Sequence, residues 1–430
     1  MTNGTSGNDT LWGETGDDLM YGQGGNDTMF GGLGDDHMEG NAGNDVMFGG
    51  GGQDDMLGGT GRINDDPATG SPNRIDGANI MFGDDDPSGG TLSTDGHDVM
   101  IGNNGIISRP LTPSGAWTVT SYATFTYSDA ITTNTSMSPT ATTPTSRVQR
   151  IIQMVDTQPM SVTLPGGAVY ANGGSDIMHG NGGDDDMIGG FDSATEGIAT
   201  QLANVPDCAA RGLITLTGDL MCGDAGDDAM LGDQGVITDT VETGSRTQTI
   251  SIPAPFIQET NYPNGQLTRQ VQLTQPSIGG DDVMQGGSGN DWMHGGAGND
   301  LMNGDSGNDR LFGDDGSDAL WGGPGHDHLY GGYGDDFQDV QFITSTTSIT
   351  GPNPAAWSIV APVADTLQGI DYSYGGWGRD LLQADFGGPG PQLGDRLIDW
   401  VGNYNLYYTC PGAYGEGVIT RQHSRPWSST

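Results

Sequence analysis

The sequence predicts an all-β chain of short, stacked strands, and three observations carry that prediction. A nine-residue unit rich in Gly and Asp repeats in two long uninterrupted runs. One place in each unit is reserved for a large apolar side chain. The acidic excess is so large that a compact fold needs cations among its carboxylates.

The repeat comes first because internal periodicity decides the architecture. From Gly4 the units read GTSGNDTLW, GETGDDLMY, GQGGNDTMF, GGLGDDHME, GNAGNDVMF and GGGGQDDML. From Gly286 they read GGSGNDWMH, GGAGNDLMN, GDSGNDRLF, GDDGSDALW, GGPGHDHLY and GGYGDDFQD. Shorter pieces in the same frame surround Asp98, Asp176, Asp185, Asp219, Asp228 and Asp282, and a degenerate copy, ANIMFGDDD, has Asn79 where Asp is due.

Each residue type has a physical reason at its place. Gly at the first, second and fourth places lets a tight turn use positive φ and bring its carbonyls to one side. Asp at the sixth place adds a carboxylate to that turn: Asp9, Asp18, Asp27, Asp36, Asp45 and Asp54 in the first run, Asp291, Asp300, Asp309, Asp318, Asp327 and Asp336 in the second. Places seven to nine form a short strand whose middle side chain alone points inward. Leu11, Met20, Met29, Met38, Met47 and Met56 hold that inward place, as do Met284, Met293, Met302, Leu311, Leu320 and Leu329. A disordered Gly-Asp linker has no use for Met or Leu at every ninth residue.

Composition agrees. Hydrophobic residues make up 33% of the 430 and Gly supplies 77, so a large apolar core cannot offset the ordering entropy alone. Asp and Glu total 56 against 13 Lys and Arg, a net charge of −43. Short carboxylates of this kind suit oxygen cages for a hard cation. Nucleic acid is excluded as a partner, because phosphate binding needs a basic patch. Three Cys (Cys208, Cys222, Cys410) are too few for a disulfide scaffold, with Cys208–Cys222 one pairing among those open. No apolar run approaches the roughly 20 residues of a membrane helix, and the start MTNGTSGNDTLWGE shows no cleavable signal peptide.

The unit resembles the RTX nonapeptide G-G-x-G-x-D-x-U-x, with U a large apolar residue, of hemolysin-type bacterial secreted and surface proteins. The resemblance implies a right-handed parallel β-roll in which two units make one turn and each strand stacks on the strand 18 residues later. It implies Ca2+, on the order of a dozen ions, lying between stacked turns. Asp9 would then share an ion with Asp27, Asp18 with Asp36, Asp27 with Asp45, Asp291 with Asp309, Asp300 with Asp318 and Asp309 with Asp327, main-chain carbonyls completing each cage. About nine turns with strands ~4.8 Å apart give a rod on the order of 45 Å long. The resemblance further implies a chain unfolded at cytosolic calcium, exported, and folded at the millimolar calcium outside the cell.

The predicted organisation is an N-terminal roll (1–60), an interrupted coil (61–285), a second uninterrupted roll (286–339) and an aromatic-rich C-terminal capping or docking domain (340–430). Inserts of about 103–170, 191–217 and 233–278 leave the coil. Trp117, Val119, Tyr122, Phe125 and Tyr127, then Ile250, Ile252, Phe256 and Ile257, alternate with polar residues. They are expected as β-hairpins or small β-lobes projecting from one side, and 191–217 as a loop with a short helix.

No catalytic constellation accompanies these features. GDSGN (304–308) is repeat filler without a triad, and there is no H-E-x-x-H and no G-x-S-x-G. His326 and His328 flank a sixth-place Asp and are expected at solvent. The expected function is therefore that of an extracellular calcium-binding structural protein rather than an enzyme. Its expected partners are copies of itself in a filament, sheath or surface layer, and the cell surface or matrix. The alternative is a calcium-dependent folding module of a larger secreted exoenzyme, toxin or adhesin.

Overall fold

The structure is a computed structural model describing residues 2–4, 7–61, 76–84, 96–108, 150–154, 161–163, 169–171, 173–190, 218–241, 246–251, 257–262, 267–274, 277–339, 371–377, 380–383, 396–398, 405–409 and 418–422. Among these residues every regular element is a strand. The chain winds as a parallel β-roll: successive units alternate between a twelve-stranded and a thirteen-stranded sheet. Neighbours in both sheets are parallel, except that Val418–Gln422 closes one edge antiparallel to Asn405–Thr409.

Register follows the repeat. Within the uninterrupted runs each inward residue lies over the one 18 positions on, as in Leu11↔Met29, Met20↔Met38 and Met284↔Met302. Across the inserts the same pairing is kept with longer chain between partners: Met47↔Met81, Met81↔Met178, Met178↔Met221 and Met221↔Met284. The inserts loop out and leave the coil in frame.

A single file of side chains fills the roll. Leu11, Met20, Met29, Met38, Met47, Met56, Met81, Met100, Met178, Met187, Met221, Met230, Met284, Met293, Met302, Leu311, Leu320 and Leu329 form one continuous cluster, none more than 4% exposed. Unbranched Met suits a cavity this narrow, because its thioether adapts to irregular gaps. Burial alternates along strands such as Thr28–Leu33, buried at the eighth place and half-buried at its neighbours, whereas others, such as Asp55–Leu57, are buried throughout.

Outside, ninth-place rings stack at the strand spacing. Trp12, Phe30, Phe48, Phe82 and His179 form one file with centroids 4.0, 5.1, 5.1 and 5.1 Å apart. His294, Phe312, Tyr330 and Tyr374 form another at 4.2, 4.6 and 4.8 Å. Parallel in-register pairing places like beside like, so the rings add contacts level by level.

The inserts form antiparallel strands, as expected, and their arms also join one another. Gly105–Ser108, Ile151–Met154, Gly235–Val241 and Leu267–Leu273 pair into one four-stranded antiparallel sheet drawn from two separate inserts. Its Ile107, Ile152, Met154 and Ile237 bury against Leu57, Ile101, Ile188 and Leu231 of the coil. The reason is local. At these levels the ninth place is aliphatic rather than aromatic, and burying that patch offsets the cost of laying the arms flat. Arg150, fully buried, and Arg269 pin this sheet through Asp55 (2.9 Å) and Asp186 (2.6 Å). Ser161–Thr163 with Val169–Ala171, and Arg246–Ser251 with Ile257–Tyr262, make two further antiparallel pairs. The stretch 191–217 and the residues Trp117 to Tyr127 lie outside the described residues.

The roll also continues into the C-terminal stretch expected as a capping or docking domain. Tyr372–Trp377 extends the sheet of His328–Tyr333, and Leu381–Gln383 extends that of Phe337–Asp339. Arg396–Ile398 and Asn405–Thr409 add one more strand to each. The roll therefore has more levels than the nine turns expected. Inside it the file is polar at Gln338 and Ser373, where buried Ser373 donates a hydrogen bond to buried Gln338, and apolar again at buried Leu382. Cys222 is buried and disulfide-bonded, with Cys208 and Cys410 outside the described residues.

Candidate metal centres

The turns join the sheets at both flanks, and their geometry explains the Gly pattern. At the fourth place Gly43 has φ 139°, and a methyl there would collide with the carbonyl of Gly25 one coil below. The second place is looser: Gln23, Asn41 and Asp305 occupy positive φ there, at 81°, 74° and 65°. At the first place the constraint is room rather than φ. A methyl on Gly40 would overlap Asp45 Oδ2 and lie 2.6 Å from the carbonyl oxygen of Gly58. The absent Cβ leaves a cradle between a carboxylate and a carbonyl of the next coil.

Sixth-place side chains form two files along the roll. In the first, the main-chain N–H of each residue donates to the side-chain oxygen of the next, through Asp9, Asp27, Asp45, Asn79, Asp176, Asp219, Asp282, Asp300, Asp318, Asp336 and Asp380, at 2.6–3.2 Å. The second runs Asp18, Asp36, Asp54, Asp98, Asp185, Asp228, Asp291, Asp309, Asp327 and Asp371 at 2.7–2.9 Å. Every Asp singled out in the sequence stands in one of these files. The pairs expected to share an ion are the neighbours joined by these bonds. Asp9 and Asp18, first in their files, are half-buried; the others are buried.

One oxygen of each carboxylate is thus spoken for. The other, Oδ2, has no hydrogen-bond partner at Asp27, Asp36, Asp45, Asp54, Asp98, Asp185, Asp282, Asp291, Asp300, Asp309, Asp318 and Asp336. Each faces the cradle of a first-place Gly. A methyl on Gly31 would overlap Asp36 Oδ2 and sit 2.5 Å from the Gly49 carbonyl, and one on Gly304 would meet Asp309 Oδ2 and the Gly322 carbonyl at 2.6 Å. Buried ionised oxygens without donors are costly, and a bound cation is the ordinary remedy.

The electrostatics point the same way. Burial, ahead of any hydrogen bond, lifts Asp45 from the ordinary 3.8 to about 7 and Asp318 to about 8. Burial, followed by the neighbouring charges of Asp228 and Asp318 respectively, carries Asp291 and Asp336 to about 9. Asp54, Asp185, Asp282 and Asp300 rise well above the ordinary value for the same reasons.

The donor set identifies the kind of metal. Among the described residues no group of three or more His, Cys, Asp or Glu is placed to hold a metal ion. The Asp levels offer carboxylate and main-chain carbonyl oxygens, a set that suits calcium rather than a softer metal. His328 is half-buried against Tyr372 (4.8 Å) rather than at solvent, and burial lowers it to about 4.

Two file members escaped sequence reading. Asp371 and Asp380 sit in DYSYGGWGRDLLQ, where GGWGRDLLQ is a complete unit. The signal was present, but it stood about thirty residues from its neighbours in the repeat and followed a strand with Ser at the inward place.

No curated protein matches the chain. A family model described as RTX calcium-binding nonapeptide repeat (4 copies) matches residues 3–38, 30–62, 168–195, 278–311 and 312–337. Those stretches carry most of the cradles and carboxylates just described, and in them the chain is built of hemolysin-type RTX calcium-binding nonapeptide repeats.

Proposed function

We propose that the chain is an extracellular structural protein without catalytic activity, which folds when it binds calcium and then assembles with copies of itself into a filament, sheath or surface layer. The observation that carries the reading is the pair of buried carboxylate files with Oδ2 atoms lacking donors. At low calcium those charges repel and oppose compaction. At millimolar calcium, binding to the folded state alone stabilises it by mass action. The eighteen sixth-place Asp residues named from the sequence, from Asp9 to Asp336, are assigned as its ligands, with Asp371 and Asp380 added. Each calcium offsets two of the chain's 43 net negative charges. RTX repeat proteins are generally secreted, which supports the extracellular setting.

Assembly rests on the strand edge. Among the described residues Thr10–Thr15 has one neighbour in its sheet, Thr28–Leu33, and Trp12 is 55% exposed at the end of its ring file. An open parallel edge of this kind is a template for another chain. Electron microscopy of the purified protein in millimolar calcium and in chelator tests the proposal. Ordered fibres or sheets that dissolve on chelation are expected. Compact single particles with calcium and expanded ones without would replace assembly with the reading of a folding module.

A further inference from the structure

One level of the first file departs from the others. At Asn79 the cradle is bounded as elsewhere, since a methyl on Gly58 would collide with the Gly102 carbonyl and with the Asn79 side chain. The side-chain chemistry differs. Asn79 Oδ1 accepts the main-chain N–H of Asp45 at 2.9 Å, which fixes the amide orientation, because an N–H cannot donate to an NH2. Its Nδ2 therefore points into the cradle, where it donates to the Gly102 carbonyl (3.0 Å), the Gly77 carbonyl (3.1 Å) and Asp76 Oδ1 (3.1 Å). Asn79 is fully buried.

Elsewhere in the file the corresponding atom is an acceptor without a donor; here it is a donor with its acceptors. The carbonyl that would face a cation at this level receives an N–H instead. At the next level of the file, Asp176 Oδ2 accepts from Asn103 Nδ2 at 3.1 Å, so an amide enters that cradle as well. Across the roll the second file is uninterrupted, Asp98 Oδ2 being buried without a partner.

We infer that the Asn79 level is a calcium-free joint in the first file, where the side-chain amide takes the place of the ion. The inference rests on the reading of the other cradles as calcium sites. It divides that file into a run ending at Asp45 and a run beginning at Asp176, while the second file carries calcium through the same levels. The joint lies where the chain makes its longest detour, 34 residues from Asp45 to Asn79 and 97 from Asn79 to Asp176. This level is thereby held by hydrogen bonds alone and forms independently of the ion.

Two measurements test it. In crystals grown with calcium, an anomalous difference map of the natural protein should show ions beside Asp27, Asp45, Asp300 and Asp318, and none within coordination distance of Asn79. Asn79→Asp should raise the calcium bound per folded chain by one ion, counted by elemental analysis after gel filtration, whereas Asn79→Ser should not. Ions at every level, Asn79 included, would overturn the joint and leave the calcium files standing, as would an unchanged count in folded Asn79→Asp. A map without ions at any level would overturn the calcium files, and the joint with them.

Discussion

Replacing Asp300 by Asn is expected to destabilise the roll in calcium and to stabilise it in chelator. Asp300 is 2% exposed; its Oδ1 accepts the main-chain N–H of Asp282 at 2.8 Å and its Oδ2 has no partner. A methyl on Gly295 would lie 2.9 Å from the Gly313 carbonyl, so that oxygen faces Oδ2 across the cradle. The Asn variant keeps the shape and the Oδ1 acceptor and turns an amide toward the carbonyl, the arrangement Asn79 already makes. With calcium present the variant loses one carboxylate ligand. At free calcium about a hundredfold above the dissociation constant, the lost site is worth about 2.7 kcal/mol. Without calcium the variant removes a buried acceptor that lacks a donor, a defect of about 1–3 kcal/mol and more when charged. Urea unfolding in saturating calcium reads the first effect. Osmolyte-driven compaction in chelator, followed by circular dichroism, reads the second. A shift of the same sign in both media would refute the reasoning, because a merely structural role for Asp300 predicts destabilisation in each.

Met47→Ala, in the middle of the inward file with Met29 and Met81 as register partners, should lower stability in calcium by about 2–5 kcal/mol, measured by the urea midpoint. Replacing fully buried Arg150 by Met leaves the Asp55 carboxylate buried without its ion-pair partner and should cost about 3–5 kcal/mol. The accompanying rise in dye binding would report exposure of the aliphatic patch beneath the insert sheet. The pH response of the metal-free chain has a definite sign. Asp36, Asp45, Asp98 and Asp309 rise to about 7, Asp318 to about 8, and Asp291 and Asp336 to about 9, from 3.8. The folded state then holds protons that the unfolded chain has released, so metal-free stability is greatest near pH 4 and falls as pH rises toward about 9. Circular dichroism in chelator showing more structure at pH 8 than at pH 4 would contradict this.

Much of this was legible in the sequence because the repeat imposes the same physics at every level. The sixth-place Asp and the stack of 18 follow from Gly4 to Leu57 and from Gly286 to Asp339 without interruption, with Met or Leu at every inward place but that of Gln338. What escaped depends on partners distant in sequence. The aliphatic residues Leu57, Ile101, Ile188 and Leu231 gave no sign that arms from two inserts would join above them. The fifth place varies in type along the repeat. Its recurrent Asn and Asp form an outer ladder that runs opposite to the sixth, with Asn8 Oδ1 accepting from Asn26 N–H and Asp17 Oδ1 from Asp35 N–H, both at 3.0 Å. The Asn at position 79 was visible as a departure, but whether its amide faces a carbonyl or solvent depends on Gly102, which the chain brings in from a neighbouring coil.

The central claim is that calcium among the carboxylate files makes the roll fold. Small-angle scattering and far-ultraviolet circular dichroism during a calcium titration at neutral pH test it most directly. The account predicts an expanded chain without β structure in chelator and a compact, β-rich one in millimolar calcium, with the change spread over many ions and reversed by chelation. The same compact β-rich particle in chelator as in calcium would contradict it.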